Sequence, residues 1–450
     1  MKGMTPARIV QVCGGRFIGN DAVLEHEISF VTLDSREAAA DCLFVAIPGE
    51  RTDGHDYLES CRAAGALCAL CQRDPGPTEL PYILVENTQK ALGQLAAWYR
   101  IQFRIPVIGV TGSVGKTSAK EMIAGVLSQR FNTLKTQGNY NNELGVPLTL
   151  FGLTEKHEAA VVEMGISDFG EMERLTAMVR PTIGVITTVG YSHLEKLGDL
   201  DGVLCAKTAI TKGMQPDGLL LVNGDDAKLR AYTALMEKRC YGLEPDNTVR
   251  AEEVRALGLD GMEMVLSCGE RHIPVRIHAF GVHLVYAALA AAAVGFALKL
   301  TDDEIARGIE GYESVGRRAR TVNAAFCTVI DDCYNSNPNS VAAALQSLAL
   351  LNGRKVCILG DMLELGGMSP ALHAQAGALA GETAQLVITQ GNMSKYMHTA
   401  AAEKCEAVHF DGKDALLAAL PGLLHRGDAV LVKASRGMHF EEISEAIMKL

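Results

Sequence analysis

The chain has 450 residues, 48% hydrophobic and 21% charged, which suits a globular protein too long for one ordinary core, so two or three domains are expected. A formal net charge of −11 argues against nucleic acid or an anionic membrane surface as a partner, because both need a basic face, while an anionic substrate held by a few local cations stays open. The twelve scattered cysteines suit a reducing compartment, MKGMTPARIVQVCGG lacks the apolar core of a signal peptide, and the most apolar run, VYAALAAAAVGFAL at 285–298, falls short of the roughly 20 residues a membrane span needs.

The first 86 residues mix short strands such as CLFVAIPG with helix-like YLESCRAAGA. The one C-x-x-C, Cys68 and Cys71 in GALCALCQRD, lies in what reads as a buried strand. Residues three apart in a strand point to opposite faces, so the pair reads as core and not as a metal or redox motif. The Pro/Gly-punctuated RDPGPTELP, the short strand YILVEN and the helical TQKALGQLAAWYR put a boundary near residue 87. From residue 105 strands alternate with helices: PVIGVTG, the helix KTSAKEMIAGVLSQRF, then the strands EAAVVEMG, PTIGVITTVG and DGLLLVNGDD. That rhythm predicts a largely parallel, doubly wound sheet. The run at 285–298 reads as a buried helix, one of a pair over 283–311. Past a second change near 313, CTVIDDCYN, RKVCILGD, AQLVITQG and DAVLVKAS predict four more strands. The expected fold is thus α/β in three units: a small N-terminal one (1–86), a central doubly wound one (87–313) and a Rossmann-like C-terminal one (314–450).

GVTGSVGKTS at 109–118 looks like a phosphate-binding loop, yet the pattern G-x-x-x-x-G-K-[ST] asks for glycine where Val110 stands. A strand that runs through a glycine-bearing loop into a helix still offers backbone N–H groups and a helix N-terminus to an anion. Gly112, Ser113, Gly115, Lys116, Thr117 and Ser118 are therefore expected to hold a nucleotide, with Lys116 reaching the β- and γ-phosphates and Thr117 available to Mg²⁺. Glu163 ends a buried-looking strand, where a lone carboxylate is costly without a partner, and His193 follows another strand end. Ligands bind at the carboxyl ends of strands in an open parallel sheet, so these residues and the loop should converge. QGNYNNELGVP, polar and glycine-bearing, reads as a binding loop.

The loop does not stand alone. KTQGNYNNELGVPLTLF at 135–151, VVEMGISDFGEMERL at 161–175, PTIGVITTVGYSHLEKLG at 181–198, DDCYNSNPNS at 331–340, LGDMLELG at 359–366 and LVKASRGMHFEEI at 431–443 follow it, and over essentially its whole length the chain resembles the Mur ligase family. The resemblance implies a monomeric, cytoplasmic ATP-dependent ligase of peptidoglycan synthesis. It would use Mg²⁺ and join D-alanyl-D-alanine to UDP-N-acetylmuramoyl-tripeptide through an acyl phosphate.

The resemblance also implies roles for individual residues. Glu163 and His193 would help hold Mg²⁺, and Lys207 in LCAKTAI matches a lysine that several members N-carboxylate, the alternative being a plain phosphate-facing cation. Thr136, Asn139, Asn141 and Asn142 would lie on the substrate side of the phosphates, with Asp332 on the ribose and Tyr334, Asn335 and Asn337 along the nucleotide cleft. Arg317 or Arg318, with Arg318 favoured, would cross towards the phosphates; Lys433, Ser435 and Arg436 would meet the dipeptide or the peptide carboxylate, and Ser35 and Arg36 the uridine diphosphate. One departure stands out: Leu284 and Ala287, in HLVYAALAA at 283–291, replace asparagines that face adenine in the family, so an altered adenine contact is expected.

Overall fold

The computed structural model describes residues 1–49, 51–314, 316 and 320–450. Three β-sheets, of five, nine and six strands, follow one another along the chain and define a three-domain α/β fold. The first lies between Arg16 and Leu84 and is parallel except for its opening strand. Within it Cys68–Cys71 is a fully buried strand. Cys68 packs into the main core and Cys71 into a separate small cluster on the other face, as the period of two requires.

The nine-stranded sheet carries the phosphate loop. Its order is 271–277, 262–268, 249–256, 237–242, 219–223, 183–186, 107–111, 159–163 and 133–135. The strands VIGVT (Val107–Thr111), AAVVE (Ala159–Glu163) and IGVI (Ile183–Ile186) are buried throughout, the signature of parallel strands covered on both faces. Register pairs Val110 with Glu163 and Thr111 with Ile186, so all three strands deliver their carboxyl ends to one edge.

Four strands between Glu237 and Ile277 extend this sheet beyond the sequence expectation, and the last two are antiparallel. Tight turns at Gly258, Gly261 and Gly269, all at positive φ, link the antiparallel strands where crossover helices would otherwise stand. The third sheet likewise has six strands where four were expected. The two extra ones, Arg320–Asn323 and Glu406–Phe410, are its edges; an edge strand is half solvated and shows no apolar run.

The apolar run near 285–298 is the buried helix Val282–Ala297, and it packs against the loop helix Lys116–Leu127. Asp302–Glu310 flanks that same loop helix, opened by a Thr301/Glu304 capping box and tied on by the Arg130–Glu304 pair. No described helix is long and apolar enough to cross a membrane.

Backbone approach at this helix pair is close: a Cβ on Gly308 would lie 2.3 Å from Val126 Cα. Gly308→Ala is therefore expected to cost about 2 kcal/mol through overpacking. A lowered denaturation midpoint checks this, and an unchanged midpoint would mean that the helices part freely.

Candidate active site

The missing Walker glycine has a geometric explanation. Val110 is a buried residue inside its strand, paired with Glu163, and nothing there calls for glycine. The demand falls on Gly112 at φ +146°, where a Cβ would sit 1.9 Å from Thr187 Oγ1. The neighbouring segment 187–190 then grips the loop. Ser113 N–H donates to Thr188 O (2.9 Å), Val114 N–H to Thr188 Oγ1 (3.1 Å), and Ser113 Oγ to Gly190 O (3.0 Å). Gly115, left-handed at φ +83°, caps the helix Lys116–Leu127 without a side-chain hydrogen bond, so the first-turn N–H groups stay available to an anion.

Glu163, 1% exposed, ends its strand beside this loop. Both of its oxygens are met: Thr117 Oγ1 donates to Oε2 and Asn141 Nδ2 to Oε1, each at 2.9 Å. Its backbone N–H donates to Thr136 Oγ1 at 3.0 Å. Thr136 is fully buried and lines neither of the two clefts described below, which corrects the expectation of a substrate contact there: it supports Glu163 from behind.

Cations gather around this carboxylate. Lys116 Nζ donates to Gly112 O at 2.7 Å. Lys207 is 2% exposed, and among the described residues no hydrogen-bond acceptor or carboxylate meets its ammonium. Burial, reinforced by the charge of Lys116, holds its pKa well below the ordinary lysine value. His193, at φ +54°, has Nδ1 2.5 Å from Glu364 Oε2. Burial lowers its pKa; Glu364 opposes that shift, whereas Lys116 and Lys207 add to it.

The third sheet supplies the opposite wall. Asp332 and Lys433 are register partners at the ends of adjacent parallel strands, and their side chains pair at 2.5 Å. Lys433, 1% exposed, also donates to Asn335 O at 2.9 Å. Ser435 Oγ accepts from Leu363 N–H and donates to Ser336 O. Both residues are hydrogen-bonded within the C-terminal unit, and Lys433 also lines the cleft described next. Exposed Arg436 lies over the Tyr334 ring, 5.8 Å from its centroid.

A cleft of about 500 Å³ joins Ser113–Ser118, Asn141, Asn142, Glu163 and His193 to Asp332, Tyr334, Asn335, Asn337 and Lys433. A second, of about 680 Å³, is lined by Ser35, Arg36, Asn139 and Asn142. Arg36 is held by Asp34, whose carboxyl it pulls down to about 2. The two clefts share Asn142 and Leu144, so they adjoin. Leu284 and Ala287 are buried in the helix Val282–Ala297 and line neither cleft, whereas His283 before them lines the first. Arg317 and Arg318 lie outside the described residues. Sequence reasoning assigned no role to His283, Asn339 or Glu364. All three reach the site from segments whose neighbours in space are far away in sequence, and no local spacing marks them.

Comparison with known proteins agrees with this geometry. Three family models match: the Mur ligase family catalytic domain over 27–100, the Mur ligase middle domain over 110–295, and the Mur ligase glutamate ligase domain over 317–436. The UDP-N-acetylmuramoyl-tripeptide–D-alanyl-D-alanine ligase of Bacillus subtilis is 36% identical over 429 residues, 93% of each chain. A crystal structure of MurF from Acinetobacter baumannii superposes with a TM-score of 0.92 at 32% identity, covering 99% of both chains. MurF of Thermotoga maritima, solved in complex with ADP, gives 0.85 at 25% identity, covering 93% of this chain and 97% of that one.

The two loop glycines should respond differently to a methyl group. Gly112→Ala forces the Thr187 clash and is expected to cost about 3 kcal/mol or more. At Gly115 an added Cβ meets nothing within 4 Å, which leaves only the left-handed backbone cost of about 1 kcal/mol. Denaturant titration of both variants checks the order, and equal losses would refute it.

Proposed function

The chain belongs to the Mur ligase family, and from that premise we propose that it joins D-alanyl-D-alanine to UDP-N-acetylmuramoyl-tripeptide with ATP, a step of peptidoglycan synthesis. The observation that carries this reading is that the two clefts adjoin at Asn142 and Leu144. A nucleotide-linked peptide held against Ser35, Arg36 and Asn139 can then reach its carboxylate to the phosphate loop. The three-unit division near residues 87 and 313 supports the same reading, with one unit for each substrate.

The peptide carboxylate attacks the γ-phosphorus of ATP, giving an acyl phosphate and ADP. The amine of D-alanyl-D-alanine then attacks the acyl carbon, phosphate leaves, and the ammonium proton passes to solvent or a nearby base. Lys116 and the N–H groups of the loop and its helix stabilise charge on the transferring phosphoryl group. Asp332, held by Lys433, and the Tyr334–Asn337 segment bind the nucleoside from the opposite wall. Arg436, over the Tyr334 ring, is placed to meet the incoming dipeptide.

The donor set fits a hard cation. Thr117 Oγ1 and Glu163 Oε2 adjoin at the loop, and among the described residues no cluster of three acidic, His or Cys side chains competes to hold a metal. Thr117 and Glu163 are the residues that would hold Mg²⁺, which neutralises phosphate charge when bound and keeps several non-protein ligands. His193, whose buried Nδ1 has no hydrogen-bond partner among the described residues, is the third group that would help hold it.

Lys207 is the residue we assign to N-carboxylation. A buried amine near Lys116, with no anionic partner among the described residues, favours its neutral form, which adds to CO₂ and loses a proton to give a carbamate. The new anion offsets Lys116. A monomer in the cytoplasm is the matching assignment; twelve unpaired cysteines among the described residues suit its reducing compartment.

Phosphate release that depends on added UDP-N-acetylmuramoyl-tripeptide and D-alanyl-D-alanine tests the activity. Lys116→Ala is expected to lower it at least about a hundredfold with the fold intact by circular dichroism; near-normal turnover would overturn the role of the loop. Bicarbonate depletion should slow the wild-type protein reversibly. Lys207→Ala should lose activity and regain part of it with a short added carboxylate. Indifference to both treatments would leave Lys207 a plain phosphate cation.

A further inference from the structure

Resting on the ligase reading above, we propose that His55 is a positioning residue for the nucleotide-linked substrate: its imidazole bolts the turn 52–57, part of the wall of the second cleft, to the end of the strand Cys68–Cys71.

The first support is the way the ring is held. Thr52, Gly54 and Tyr57 line the second cleft with Ser35 and Arg36, whereas His55, between them in sequence, is turned inward with its side chain 1% exposed. Both ring nitrogens are engaged. The Gln72 backbone N–H, which can only donate, meets Nε2 at 3.1 Å, so that nitrogen carries no proton. Nδ1 then carries it and donates to Asp53 Oδ1 at 2.6 Å. Asp53 is itself fixed on both oxygens: Oδ1 also takes the His55 N–H at 2.9 Å, and Oδ2 takes Arg73 Nη2 at 3.0 Å. A single neutral tautomer satisfies every donor and acceptor at the ring.

The second support is what lies on either side of this ring. Gln72 follows directly on the strand Cys68–Cys71. Its Oε1 accepts from both the N–H (3.1 Å) and the hydroxyl (3.0 Å) of Thr88, fully buried at the start of the helix Thr88–Arg100. The next residue, Gln89, lines the phosphate cleft. A path of hydrogen bonds therefore runs from the turn at one cleft to the helix that borders the other. Within the turn, Gly49 N–H donates to Thr52 O at 2.9 Å and Gly54 N–H to Ile47 O at 3.0 Å, which holds its first half. A Cβ on Gly54 would lie 2.8 Å from Ile47 N, so that approach is close. The His55 ring, two residues before Tyr57, holds the second half. Buried and engaged at both nitrogens, the ring does not meet the substrate itself, and its contribution is the placing of Thr52, Gly54 and Tyr57.

The test uses the full-length protein with His55→Ala, His55→Asn and His55→Gln. A glutamine carbonyl extends to the place of Nε2 and can accept from Gln72 N–H, whereas asparagine ends near Nδ1 and keeps only the Asp53 contact. The Kd of UDP-N-acetylmuramoyl-tripeptide, titrated calorimetrically with a non-hydrolysable ATP analogue present, is measured beside the KM values. Both Kd and KM for this substrate should rise about 5- to 50-fold in the Ala and Asn variants, the range for a buried donor left without its acceptor, and less than about threefold in the Gln variant. The kcat and the KM values for ATP and D-alanyl-D-alanine should stay within about twofold, because the ring shapes one binding wall only. Amide hydrogen exchange at Gln72 should quicken in the Ala and Asn variants and stay slow in the Gln variant. The proposal is overturned by an unchanged Kd or unchanged Gln72 exchange in His55→Ala, by a Gln variant as impaired as the Ala variant, or by equal rises in all three KM values. If His55→Ala does not fold, the Asn and Gln variants decide by the same order. Were wild type to bind the nucleotide-linked peptide without turning it over, the ligase reading would fail while the order of Kd values would still decide the role of His55; were it not to bind, both would fall.

Discussion

A carboxylate buried to 1% exposure must be met by donors, and the arrangement around Glu163 follows from that demand. One oxygen takes the Thr117 hydroxyl, which fixes the start of the loop helix; the other takes Asn141, which draws the polar 136–142 segment over the sheet edge. Thr136 closes the circuit through the Glu163 backbone, and fully buried Lys120, one helical turn after Lys116, donates to the Thr136 carbonyl at 2.9 Å. The phosphate loop, its helix and the substrate-side turn are therefore a single hydrogen-bonded body, built before any ligand arrives.

The same body explains how an acidic protein handles highly charged anions. A chain of net charge −11 repels them at long range, yet Lys116 and the loop N–H groups converge in a cleft whose low-dielectric walls concentrate their field, with buried Lys207 within reach of the Lys116 charge. The cost is visible at Lys207, whose buried amine is pushed towards neutrality. On the facing wall Lys433 is largely offset by Asp332, so that wall presents polarity rather than excess charge. The asymmetry is chemically sensible: phosphates belong beside the cationic loop, and a nucleoside beside the neutralised pair.

Docking of the C-terminal unit adds what the central sheet lacks. The turn 190–195 lies at the end of the strand that also clamps the phosphate loop through Thr187 and Thr188, so contacts from Asn339 and Glu364 land on the segment that shapes the loop. Domain position and loop geometry are in this way mechanically linked over a few residues, without a long relay.

Much of this was legible in the linear chain, for identifiable reasons. Parallel strands buried on both faces leave apolar runs, so Val107–Thr111, Ala159–Glu163, Ile183–Ile186 and Leu219–Asn223 could be read directly, and glycine, lysine and threonine between a strand and a helix marked the loop. Edge strands such as Glu406–Phe410 and the antiparallel strands 262–277 gave weaker signals because solvent takes one side of them. Tertiary structure alone decided that Gly112 and not position 110 must be glycine, since the reason is a Thr187 side chain more than seventy residues away. It alone decided that Thr136 supports Glu163 from behind, that Lys433 pairs with Asp332, and that Glu364 lies beside His193. Residue type and spacing report what a segment can do; which group occupies the space beside it depends on strand order, register and the docking of separate units, and local sequence does not encode these.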